Sequence, residues 1–179
     1  QTPYGFELRD EIGENINAPL LDMPEENDWI LLANYNDKVM MRNVLTYHLF
    51  REMGHYAPRT KYCEVVLNGI YEGIYVLTEK IKQDKNRVDI ANLKADEIEG
   101  DDLTGGYIFK NDYYEPDGSD SWLGEFTPEH LPNEEVRFVY HDPKSSKIVP
   151  EQKQYLQDYV AGFESVLFGD DFADPTTGY

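Results

Sequence analysis

The stretch NYNDKVMMRNVLTYHLF, residues 34–50, sets two cations, Lys38 and Arg42, four residues apart where its apolar spacing begins to read as a helix. The start of a helix is the positive pole of its dipole, so cations there are disfavoured by roughly a few tenths of a kcal/mol unless an anion answers them. Two chemistries would supply that anion. Arg42 stands three and seven residues before Leu45 and Leu49, at the edge of the expected buried face, where it could pair with a carboxylate of a neighbouring hairpin such as Glu64 or Glu79. Alternatively, the helix N–H groups and both cations converge on a phosphate.

The segment YVLTEKI, residues 75–81, poses a similar choice. Glu79 and Lys80 end an apolar strand and must face opposite sides of it, so one of them points inward. An edge strand carrying charges at its exposed end against aggregation is the plainer explanation. In GGYIFKND, residues 105–112, Tyr107 follows two glycines and precedes Lys110 and Asp112; a core strand accounts for it without any function. EPDGSDSW, residues 115–122, gathers oxygen donors around a glycine as calcium loops do, but it lacks their spacing and terminal Glu, which favours a turn. The single cysteine, Cys63, lies in the alternating stretch KYCEVVL and reads as a packed thiol. A glycosidase carboxylate pair has little support, because 35 acidic residues make pairs commonplace. Walker, G-x-G-x-x-G and H-E-x-x-H patterns are absent, and the four histidines are scattered.

The elements that must position these residues follow from periodicity. YGFELRDEIGENI alternates Tyr4, Phe6 and Leu8 and breaks at Gly13, which predicts a strand entering a turn. APLLDMPEENDWILLANYN, with two prolines, reads as a packed connector. A helix is expected from Asp37 to Met53, capped by Asn34 or Asn36 and ended by Gly54, with Met41, Leu45 and Leu49 packed on a hairpin. That hairpin, turning at Asn68-Gly69, should pair residues 61–67 with 71–81. Further strands are expected at GGYIFKNDYY and VRFVYH. Pro150 opens a final helix with Tyr155, Leu156, Tyr159, Val160, Phe163 and Leu167 on one face, ending at Gly169.

Composition bounds the rest. The 179 residues, 40% apolar, can fill one ordinary core. The net charge of −19 repels phosphate backbones and anionic lipid at long range, so no nucleic-acid partner is expected. No run of about 18 apolar residues occurs, so no membrane span is expected. The chain begins with Gln and ends at DPTTGY, as a piece truncated at both ends would.

Taken together and in order, YGFELRDE, WILLANYNDKVMMRN, YAPRTKYCEVVLNGIYEGIYVLTEKI, RVDI and GGYIFKND resemble the CotH family of spore-coat and secreted atypical kinases over residues 4–112. Beyond Asp112 only the PEQ helix start is similar. The resemblance implies an α+β, divergent protein-kinase-like fold within a single partial domain, residues 1–179, with an N-terminal lobe at 1–82 and the linker and start of a second lobe at 83–179. It implies ATP-dependent phosphoryl transfer to a protein, with ATP and Mg2+ as cofactors of the full-length family member, and a spore-coat, secreted or surface location. On that basis Arg42 would act on phosphate or brace the lobe, with Lys38 beside it. Glu79 and Lys80 would lie at the nucleotide linker, and Tyr107 would stack on adenine. Family members carry further motifs resembling N-x-D and W-D-F-D, whose aspartates would hold the metal; neither occurs in this chain, so no metal ligand is assigned and the chain by itself is expected to be inactive. The alternative is a non-catalytic coat or surface module whose acidic exterior contacts a partner.

Overall fold

The computed structural model describes residues 1–112, 120–127, 134–170 and 172–176. The chain divides into two compact units, Gln1–Asp89 and Ile90–Tyr179. Both combine antiparallel strands with an α-helix, an α+β arrangement.

In the first unit, strands β1 (Tyr4–Glu7), β4 (Asp28–Leu32), β6 (Ile70–Glu79) and β5 (Thr60–Leu67) form one antiparallel sheet in that spatial order. The expected hairpin is present: Asn68 and Gly69 take left-handed backbone angles of 51° and 82°, the two positive φ values that a tight hairpin turn requires. The supposed connector before the first helix is a correction. It contains β2 (Ala18–Leu20), β3 (Met23–Glu26) and the central strand β4. Its prolines sit in the separate two-stranded β2–β3 ribbon, where a missing N–H is tolerated, and Leu21 and Asp22 make its turn at positive φ without glycine. Met23 of that ribbon, Trp29 and Leu77 form the core of the unit, with Phe6, Leu8, Leu20, Leu31 and Cys63 packed around them.

The first helix, α1 (Arg42–Glu52), starts five residues later than expected, because Met40 takes a left-handed φ of 56°. Asp37 rather than an asparagine serves its N-terminus, accepting the Arg42 N–H through Oδ2 at 2.8 Å. The expected packing of Met41, Leu45 and Leu49 on the hairpin is also corrected, since all three are exposed. Val44, Tyr47 and Arg51 form the half-buried side instead. Apolar residues occupy both sides of α1, so periodicity alone could not choose between them.

The second unit holds the sheet β7 (Ile108–Asn111), β9 (Arg137–Asp142), β8 (Ser121–Leu123), with β9 central, and the helix α2 (Pro150–Leu167). Its core is Tyr140, Ile148, Leu156 and Val160, joined by Tyr107, Trp122 and Phe138. The buried stripe of α2 is Gln152, Leu156, Val160 and Glu164, while Tyr159, Phe163 and Leu167 are exposed, against expectation. The polar ends of the stripe go inward because they satisfy backbone groups: the Gln152 amide donates to the carbonyls of Lys94 and Glu97, and Glu164 accepts the Glu125 N–H. The candidate calcium loop at 115–122 lies largely outside the described residues. Among the described residues no helix is long and apolar enough to cross a membrane.

Candidate functional site

The last residues of β6 pair with the first of β4, Trp29 opposite Glu79, and this end of the sheet collects the charged side chains of the first unit. Alternation along β6 sends Glu79 and Lys80 to opposite faces, as their adjacency requires. Glu79 is the inward one, wholly shielded from solvent. Its carboxylate accepts the Arg59 backbone N–H at 3.0 Å, the Arg59 guanidinium at 2.7 Å and the Arg87 guanidinium at 3.0 Å. Arg87 also lies over the Trp29 ring, 4.9 Å from its centroid, while its Nε and Nη2 have no hydrogen-bond partner among the described residues. Burial and the nearby Glu79 carboxylate push the Tyr56 phenol up to about 12.

Lys80 donates to Asp28 Oδ1 at 3.0 Å, and Lys82 bridges Asp28 Oδ2 at 2.8 Å and Glu26 Oε1 at 3.2 Å. Burial alone would raise the Asp28 carboxyl, but hydrogen bonds from the two lysines hold it below its ordinary value. Burial likewise opposes the charge on Lys82, and its two carboxylate partners outweigh that effect and raise it. Lys80 is half-exposed, and it borders an open cavity of about 670 Å³ lined by residues of the β1–β4 pair. Ile30 and Pro3 supply apolar surface beside Gly5, and the charged lining is balanced, Lys80 with Asp28 and Arg9 with Glu7. A volume in this range, mostly apolar with a few convergent charges, is what a small-molecule site needs. Among the described residues no three of His, Cys, Asp and Glu gather as a metal site.

The other expected residues are placed elsewhere. Arg42 is not at a buried edge: its side chain is 78% exposed and its Nε lies 3.6 Å from Asp37 Oδ1. Neither Glu64 nor Glu79 is its partner; Glu64 accepts from the Tyr71 hydroxyl. Lys38 is exposed in the turn before α1. Tyr107 belongs to the second unit, where its ring stacks on Tyr155 at 5.9 Å and its hydroxyl donates to the Leu103 carbonyl at 2.9 Å. Sequence reasoning missed Asp28, Lys82, Arg59 and Arg87. The last two stand within the recognised stretches YAPRT and RVDI, but their separations of 20 and 8 residues from Glu79 carry no periodic signal.

These features define an α+β protein of antiparallel sheets with an ion-pair cluster closing two central strands. The family model described as CotH kinase protein matches residues 1–178, and the chain belongs to that family. The match runs far beyond Asp112, where the similarity was expected to fade. Searches of curated proteins and of solved structures returned no match.

Proposed function

We propose that the first unit is the nucleotide-holding part of a CotH-type, ATP-dependent protein kinase, with its sheet and α1 standing as a divergent kinase N-terminal lobe. The observation that carries this reading is the open cavity against the β1–β4 pair, bordered by Ile30, Lys80 and Arg9. Its volume suits a nucleoside phosphate, with Ile30 against a base and Lys80 and Arg9 exchanging Asp28 and Glu7 for phosphate oxygens. Half-exposed Lys80 can turn to an anion while Asp28 keeps its hydrogen bond from Lys82, which Glu26 shares. The buried Glu79–Arg59–Arg87 group fixes the strand end from which Lys80 projects. ATP, when bound, supplies the phosphoryl group. The described side chains do not fit a magnesium ion held by three ligands. Because the aspartate motifs of the family are missing from this sequence, the chain by itself binds nucleotide without transferring phosphate to protein.

The test is calorimetric titration with a non-hydrolysable ATP analogue. Lys80→Ala should weaken binding about tenfold or more, as loss of a charge-assisted contact does, while Lys144→Ala, an exposed lysine of the second unit, should not. Equal affinities for wild type and Lys80→Ala would remove the cavity from consideration. A second reading, a non-catalytic coat or surface module, draws on the exposed apolar side of α1 and is favoured if no saturable nucleotide binding occurs.

A further inference from the structure

The helix α1 has two apolar sides. Val44, Tyr47 and Arg51 are half-buried, and the Arg51 guanidinium donates to the Pro58 carbonyl at 2.7 Å. On the opposite side Leu45, Leu49 and Met53 follow Arg42 at steps of three, four and four residues, which places all four in one strip along the helix. Leu49 is 53% and Met53 70% exposed. Beside this strip opens a cleft of about 500 Å³ walled by Leu49, Phe50, Met53, Ala57, Pro58 and Ile81. Single exposed apolar residues are ordinary, whereas a contiguous strip beside an apolar cleft marks an interaction surface.

Charge identifies what the surface fits. The chain carries 35 acidic residues against 16 basic ones, yet from Lys38 to Lys61 the basic residues Lys38, Arg42, Arg51, Arg59 and Lys61 meet one acid, Glu52. Arg51 and Arg59 turn inward onto Pro58 and Glu79, and Lys38, Arg42 and Lys61 are left on the surface. Arg42 holds Asp37 only at 3.6 Å, through a side chain 78% exposed, so a better-placed carboxylate could recruit it.

We propose that the outer face of α1, with the adjoining cleft, docks an amphipathic acidic helix of a partner protein. Its apolar residues would seat on Leu45, Leu49 and Met53, and its carboxylates would meet Arg42 and Lys38, the helix-on-groove mode in which apolar anchors supply affinity and charge supplies selection. This surface is separate from the nucleotide cavity and does not rest on that reading.

The experiment titrates the purified chain into a labelled peptide of about 16 residues, with leucine at helical spacing and glutamate at most other positions. A second peptide carries lysine in place of each glutamate. The acidic peptide should bind saturably with a Kd on the order of micromolar to tens of micromolar, and more weakly as salt is raised. Leu49→Asp and Arg42→Glu should each weaken it about tenfold. Arg42→Glu should also shift preference toward the lysine peptide, a reversal that misfolding cannot produce. Leu49→Gln and circular dichroism of every variant guard against loss of structure. Equal binding of both peptides, absence of saturation below about 1 mM, or sedimentation showing a dimer that Leu49→Asp dissociates would each overturn the proposal.

Discussion

Arg87 donates to the Glu79 carboxylate at 3.0 Å with both side chains wholly shielded from water. Such a pair adds little net stability over an apolar one, but removing one partner strands the other charge in a poor solvent. Glu79→Ala should therefore destabilise the first unit by about 3 to 5 kcal/mol in urea titrations. Arg59→Ala should cost less, since the Arg59 side chain is about one-third exposed and Arg87 still faces the carboxylate. A Glu79→Ala loss no greater than that of Arg59→Ala would show that Arg87 is neutralised by another group.

Asp28 gives the strand end its own acid sensitivity. Burial works to raise its carboxyl, yet the hydrogen bonds from Lys82 and Lys80 leave it below the ordinary 3.8. A depressed carboxyl stabilises the fold above its unfolded value and loses that contribution as pH falls through the folded one. Wild type should thus lose stability below pH 3.8, and Asp28→Asn should lack that part of the acid limb. Melts from neutral to acid pH for the two proteins check this; superimposable acid limbs would refute it.

Leucines of the two helices should respond very differently to truncation. Leu156 is 3% exposed in the core of the second unit, and Leu156→Ala should cost about 2 to 5 kcal/mol. Leu45 is 45% exposed, and Leu45→Ala should change stability by less than about 1 kcal/mol. Denaturant midpoints of the two variants give the comparison, and a large Leu45 effect would mean that the outer side of α1 is covered in solution.

Gly106 has a left-handed φ of 86°, and a Cβ there would come within 2.5 Å of the Ala91 carbonyl oxygen. Both angle and space exclude a side chain without movement. Gly106→Ala should destabilise the second unit by about 1 to 3 kcal/mol or more, whereas Gly69→Ala, with open space around it, should pay only for the backbone angle. Thermal melts of both variants test the difference.

The parts of the fold that were legible in the sequence are those whose signals are local. Asn68-Gly69 demands its turn, Pro150 opens α2 and Gly54 follows α1 at positive φ. Strand β4 was missed because its pattern, DWILL, is short and follows prolines that belong to another ribbon. The exposed side of α1 was misjudged because Leu45 and Leu49 have the same spacing as a buried face would, and nothing local reports which side the sheet covers. At the site, the opposition of Glu79 and Lys80 followed from strand alternation, whereas the partners Arg59, Arg87 and Asp28 are brought in by chain return and register. Tyr107 kept a core role in its own unit, the plainer of its two explanations.

The two tryptophans are divided between the two units, Trp29 at the centre of the first core and Trp122 beside the second. Each half therefore carries its own intrinsic fluorophore, and the surroundings differ: Trp29 has the Arg87 guanidinium 4.9 Å above its ring, while Trp122 lies 4.6 Å from the ring of Tyr140. Trp29→Phe and Trp122→Phe proteins would report the two halves separately, one emission trace for each. Overlaid during unfolding, those traces would reveal whether the halves melt as one cooperative body or in succession.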